Sequence, residues 1–149
     1  MMRYILLPLL CLALLLGACG LRRSNPLDPA AHDDLMVPER VINIGYMTSG
    51  AGVQIKTVSF EWTPNSQQST DGYYLYRSMG YNSDFARVDT VLTNVPGLGG
   101  KITCIHGAKP WHQVMAGDYY YKVSAWKTYG DRRLEGPISD RVFVRIPAK

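Results

Sequence analysis

From Val37 onward, apolar and polar residues alternate over short runs broken by clusters of Gly, Pro, Asn and Asp. A period of two turns successive side chains to opposite faces, so each run predicts a strand with one buried and one wet face. Ile55 to Trp62 carries the clearest signal, with Val58, Phe60 and Trp62 alternating with Ser59, Glu61 and Thr63. A first strand is predicted from Val41 through Tyr46, and Met47 to Val53, with Gly50 and Gly52, reads as a loop. Tyr73 to Arg77 puts Tyr73 and Leu75 on one face and Tyr74 and Tyr76 on the other, which makes the face opposite the core partly aromatic. Phe85 to Leu92 and Lys101 to Ile105 read as two further strands, bracketed by Asn82-Ser83-Asp84 and Pro96-Gly97-Leu98-Gly99-Gly100. Tyr119, Tyr121, Val123 and Ala125 form another series, and Arg141 to Ile146 closes the domain with Val142, Val144 and Ile146 on one side. No stretch has a helical period. Seven strand-sized segments over residues 37–149 predict an all-β sandwich of two sheets.

The first residues follow a different pattern. Arg3 precedes an apolar run from Ile5 to Leu16 that is broken by Pro8 and is shorter than the ~20 residues a spanning helix needs. Gly17 and Ala18 are small enough for a signal peptidase pocket, so the segment reads as a signal peptide cleaved between Ala18 and Cys19. From Gly20 to Met36 there is no strand or helix period, and Pro26 and Pro29 punctuate the stretch, which reads as a flexible tether with an end-to-end distance of about 20–25 Å. The chain therefore divides into a leader at 1–18, a tether at 19–36 and a folded domain at 37–149.

Leu16-Gly17-Ala18-Cys19 resembles the lipobox of bacterial lipoproteins: an aliphatic residue, two small residues and the obligatory cysteine. The resemblance implies a diacylglyceryl thioether on Cys19, cleavage before it and often acylation of the freed amine. Sulfur suits this role because a thiolate is a far better nucleophile at neutral pH than a serine hydroxyl. One acyl chain holds a protein marginally and two or more hold it stably, at about 0.8 kcal/mol per CH₂. The implied partner of Cys19 is thus the membrane of a bacterial cell envelope; if the cell is Gram-negative, Gly20, where an aspartate would signal retention in the inner membrane, implies the outer membrane.

Charge narrows the partners. Without residues 1–18 the chain carries 15 Lys and Arg against 12 acidic residues, close to +3, and its only basic doublets are Arg22-Arg23 and Arg132-Arg133. Nucleic-acid binding needs a stripe or clustered face of such residues, so it is excluded. Of the three cysteines, Cys11 falls in the leader and Cys19 at the lipobox, which leaves Cys104 with no partner for an internal disulfide. A domain of this size buries enough apolar surface to fold without one.

Three stretches of the domain resemble fibronectin type III sequences: Trp62 closing the second strand, Asp71-Gly72-Tyr73-x-Leu75-Tyr76-Arg77-Ser78 around the third, and Gly117-Asp118-Tyr119-x-Tyr121-x-Val123-x-Ala125 along the sixth. The resemblance covers residues 37–147 and implies an immunoglobulin-like, seven-stranded sandwich with Trp62 between the sheets. It also implies a tyrosine corner at Tyr119, the hydroxyl bonded to upstream backbone. The same alignment places Cys104 with Ile102 on the inward face of the fifth strand. His106 stands where many bacterial members carry an aspartate, and the run from Gly107 to Met115 resembles an insertion.

Signatures of catalysis are thin. Cys104-x-His106 with His112 six residues on fits none of the usual zinc spacings, and His32-Asp33-Asp34 lies on a tether without further ligands, so no metal site and no cofactor is expected. A cysteine on an inward strand face is no accessible nucleophile. Gly97-Leu98-Gly99-Gly100 precedes a strand, not a helix, and so lacks the dipole of a phosphate cradle. The expectation is a noncatalytic domain whose candidate interaction surface is Trp111, Trp126, Tyr129, Arg132 and Arg133, because aromatics and arginine anchor protein interfaces. A protein of the envelope is the first partner class. A polysaccharide stacked on the aromatic rings is the alternative, and an enzyme with an unrecognised site is the third reading.

Overall fold

The alternating runs form two antiparallel sheets packed face to face in a computed structural model that describes residues 27–29, 32 and 34–148. The leader, Ala18 and Cys19 lie outside the described residues. Eight strands are present among them: β1 (Gly45–Thr48), β2 (Val58–Trp62), β3 (Gly72–Ser78), β4 (Ala86–Val91), β5 (Ile102–His106), β6 (Gly117–Tyr129), β7 (Arg132–Glu135) and β8 (Val142–Ile146). One sheet has the order β1-β2-β5. The other has the order β4-β3-β6, with β7 and β8 both paired to β6. Two short 3-10 turns, Leu98–Gly100 and Pro110–His112, are the only helical segments among the described residues.

Register explains the core. In β2 and β5 the partners Val58↔His106, Phe60↔Cys104 and Trp62↔Ile102 all point between the sheets, where they meet Tyr73 and Leu75 of β3, Tyr121, Val123 and Ala125 of β6, and Val144 and Ile146 of β8. Cys104 and Ile102 are thus both inward, as expected. Trp62 is fully buried with its ring edge-on to Tyr73, centroids 5.1 Å apart, and Phe60 packs on Tyr121 at 4.7 Å.

The count of seven expected strands becomes eight for a local reason. Gly130, with φ of 61°, turns the chain after Tyr129, so that Arg132–Glu135 pairs back on Trp126–Tyr129 while β8 pairs with Gly117–Tyr121 on the same edge of β6. Between them the edge stays attached through Gly136 N to Ala125 O at 2.9 Å and Ser139 N to Val123 O at 2.8 Å. Pro137, which has no N–H to donate, lies in this interval and separates two strands along one edge. The first strand also starts late: Asn43 has φ of 56°, outside the β region, so pairing begins at Gly45 although Val41 is already buried.

A bulge in the β3–β4 ladder positions the site described below. Leu75 pairs with Asp89 but Tyr76 pairs with Arg87, so Val88 is the extra residue. This register puts Asp89 on the same inward side as Leu75, where it is only 9% exposed, and sends Arg87 to the outer face.

Candidate functional site

The outer face of the larger sheet carries the aromatic side chains that the alternation in β3 leads one to expect. Tyr74 lies beside Trp126, ring centroids 5.8 Å apart, and at 6.4 Å from Tyr76. Gly72, paired with Trp126 in the ladder, makes room for the indole: a Cβ there would collide with Trp126 Cζ2. Two arginines cover the rings. The Arg133 guanidinium carbon is 4.0 Å from the Trp126 centroid and that of Arg87 is 4.6 Å from the Tyr74 centroid, both in the range where a cation is attracted to the ring face. Arg133 Nη1 also donates to the Tyr74 hydroxyl at 3.1 Å. Beside them Tyr76 donates to Glu135 Oε1 at 2.6 Å and Ser124 donates to the same oxygen. Burial and the Glu135 carboxylate push the Tyr76 phenol up to about 12, so it remains a donor at neutral pH.

Of the five expected surface residues, the structure brings together Trp126 and Arg133, with Tyr129 and Arg132 following at the end of the β6–β7 hairpin, but Trp126 is only 4% exposed because its indole packs on Tyr74 beneath the Arg133 guanidinium. Trp111 does not join them. Its backbone belongs to the Pro110–His112 turn before β6, whereas Tyr129 ends β6. The 13 residues of that strand separate the two ends by on the order of 40 Å. At the hairpin end the Tyr129 hydroxyl accepts from Met36 N at 2.6 Å and donates to Met36 O at 3.1 Å, which ties the chain preceding the domain to this end. Arg87, Tyr74, Tyr76 and Glu135 complete the row and were missing from the expected set. Their signal was the outward Tyr74 and Tyr76, but the arginines that cover Tyr74 and Trp126 come from two other strands.

A second cluster sits at the edge of the core. Asp89, His106 and His112 each offer one ligand atom, and these lie within 4.8 Å of one another. His106 comes from the inward end of β5 and is 2% exposed, Asp89 comes from beyond the bulge in β4, and His112 closes the 3-10 turn. His112 Nδ1 is 3.8 Å from Asp89 Oδ2, and Lys109 Nζ is 3.6 Å from Asp89 Oδ1. Asp89 Oδ1 also accepts from Thr90 N at 2.8 Å. Arg77 Nη1 lies 3.4 Å from His106 Nε2, whereas His106 Nδ1 is buried without a hydrogen-bond partner. Burial, joined by the charge of Arg77 and opposed by Asp89, pushes His106 down to about 4, so the ring is neutral at physiological pH. Sequence spacing grouped the two histidines with Cys104; the fold groups them with Asp89, which lies on another strand.

Cys104 itself is 5% exposed, and burial together with the nearby Asp89 carboxylate pushes its thiol up to about 12. At pH 8 only about one thiol in ten thousand is then ionised, so the native protein is expected to leave Cys104 unlabelled by an aromatic disulfide reagent while urea-unfolded chain labels it fully. Peptide mapping of the two samples checks this, and rapid labelling of native Cys104 would contradict the burial.

Tyr119 is buried, with the Arg77 guanidinium 5.2 Å from its ring centroid, but among the described residues its hydroxyl makes no backbone bond. The tyrosine that fastens a loop in this way is Tyr73, whose hydroxyl accepts from Asn65 N at 2.9 Å and donates to Asn94 Oδ1. The corner expected at Tyr119 is thus replaced by a link from β3 to the loop before it at Asn65 and to the loop after β4 at Asn94. No known protein-family model matches the chain, and no curated protein matches it.

Proposed function

We propose that this protein is a bacterial lipoprotein, anchored by acyl chains on Cys19 after cleavage behind Ala18, that displays a noncatalytic sandwich of the fibronectin type III kind to another protein of the cell envelope. The division of strands supports the fold reading: β1, β2 and β5 face β3, β4, β6, β7 and β8, and the chain crosses between the sheets from β2 to β3, from β4 to β5 and from β5 to β6. The apolar run ending at Leu16-Gly17-Ala18-Cys19 supports the anchor, and in a Gram-negative cell Gly20 supports the outer membrane as its place. The chain enters the domain beside Tyr129, at the end of the sandwich opposite the loops at 49–57, 79–85 and 107–116.

The observation that carries the interaction reading is the row of Arg87, Tyr74, Trp126 and Arg133. Its guanidinium carbons lie over aromatic rings at 4.6 and 4.0 Å while both arginines remain exposed. Their free edges present planar donors suited to carboxylates on a partner. The same geometry weighs against the polysaccharide alternative, because the face of Trp126 on which a sugar would stack is already covered by Arg133.

Photocrosslinking of the tethered protein in its own membranes tests this. Arg87→Ala combined with Arg133→Ala is expected to lower recovery of the crosslinked envelope protein about tenfold or more. Unchanged recovery would overturn the assigned face, and polysaccharide retention lost on Trp126→Ala or Trp111→Ala would favour the glycan reading. Intact mass on the same sample is expected to show residues 1–18 removed and Cys19 acylated; an unmodified Cys19 would overturn the anchor.

A further inference from the structure

The geometry points to a divalent transition-metal site of the zinc class formed by Asp89, His106 and His112, with its remaining coordination position open to solvent. The fold assembles it from three separate elements, which is why no local motif announces it: the end of β5, the bulged part of β4 and the 3-10 turn at Pro110–His112. Two imidazoles and one carboxylate are the donor set of many open zinc sites, whereas Ca²⁺ and Mg²⁺ take oxygen ligands.

Three independent features favour a cation here. Asp89 lies at the edge of an apolar core with its side chain only 8% exposed, and its neighbours Lys109 Nζ and His112 Nδ1 stand off at 3.6 and 3.8 Å. That is expensive unless a positive charge comes closer. His106 has a buried Nδ1 with no hydrogen-bond partner, and a metal would give that nitrogen the contact it lacks. The cluster also opens outward: an open depression of about 310 Å³ is lined by Asp89, Lys109 and His112, with Arg87 and Thr90 beside them, leaving room for a coordinated water or an incoming ligand atom.

Binding requires modest rearrangement. Ligand atoms around a tetrahedral zinc are ~3.4 Å apart, so separations of up to 4.8 Å must shorten by as much as about 1.4 Å. His112 is on the outer turn, and Lys109, whose side chain is 52% exposed, swings away as the metal replaces it beside Asp89. Coordination through Nδ1 of His106 places the ring proton on Nε2 and costs the 3.4 Å contact with Arg77, which retains its seat over the Tyr119 ring.

The test titrates Zn²⁺ into the untagged full chain in detergent micelles by calorimetry, with Mg²⁺ and Ca²⁺ as controls. One Zn²⁺ per chain is expected, with neither control saturating. Asp89→Asn and His112→Ala, both at the accessible side of the cluster, are each expected to weaken Zn²⁺ at least tenfold while far-UV circular dichroism stays unchanged. His32→Ala, which removes the histidine of the tether, should leave the affinity intact. Absence of Zn²⁺ saturation overturns the site, as does saturation that survives the Asp89 and His112 substitutions or disappears with His32→Ala.

Discussion

Trp62→Ala is expected to cost about 3–5 kcal/mol of folding stability, the range for removing a large buried aromatic side chain. The residue has 0% exposure and stands at the centre of the sandwich, between Ile102 on its own sheet and Tyr73 on the other, so the loss opens a cavity that neither sheet closes without breaking its ladder. A domain of this size is typically stable by only 5–15 kcal/mol, and the substitution therefore removes much of the total. Urea unfolding followed by near-ultraviolet circular dichroism measures it, and a drop in melting temperature of about 15 °C or more should accompany it. Trp62→Phe, which keeps an aromatic ring against Tyr73, should lose less than half as much. A cost below about 1 kcal/mol for Trp62→Ala would place the tryptophan outside the core.

Acidification is expected to destabilise the domain well before its carboxylates titrate. The His106 imidazole is held down at about 4 by burial first and by the Arg77 cation second, against an ordinary value of 6.5. Above pH 6.5 both folded and unfolded chains hold this ring neutral, and it contributes nothing to the pH dependence. Between 6.5 and 4 the unfolded chain takes up a proton that the folded chain refuses, so stability falls as pH falls, by about 1.4 kcal/mol per unit. The accumulated loss is on the order of 3 kcal/mol at pH 4 and levels off below that. Asp89, which opposes the depression, and His112 and Arg77, which deepen it, are the charged groups around the ring. Denaturation midpoints at pH 7, 5.5 and 4.5 measure the slope, and His106→Gln should flatten it over this window. Equal slopes in the two proteins would assign the acid sensitivity elsewhere. Asp118, held low by its two hydrogen bonds from Arg145, contributes only below the ordinary aspartate range, which keeps the two effects apart.

Much of the fold was legible in the chain because period two is a strong signal where one face is buried. Val58, Phe60 and Trp62, or Val144 and Ile146, point inward as their alternation implies, and Tyr74 with Tyr76 lies on the outer face. The hairpin after Tyr129 was missed although Gly130-Asp131 is a recognised two-residue turn signal, because Arg132-Arg133-Leu134-Glu135 lacks the β-branched alternation that marks a strand. Its pairing is supplied by β6, not by its own residues. The candidate surface was legible in half: Trp126 and Arg133 do meet, while Trp111 is carried to the far end of the sandwich.

The amino-acid sequence by itself determined the all-β class, the residues that fill the core and the outward aromatics, since each follows from local periodicity and burial of apolar surface. The two-sheet pairing, the split edge along β6 and the meeting of Asp89 with His106 and His112 were decided only by tertiary structure. Each depends on register between strands far apart in the chain, and a one-residue bulge at Val88 is enough to turn a carboxylate inward that simple alternation would not have placed there.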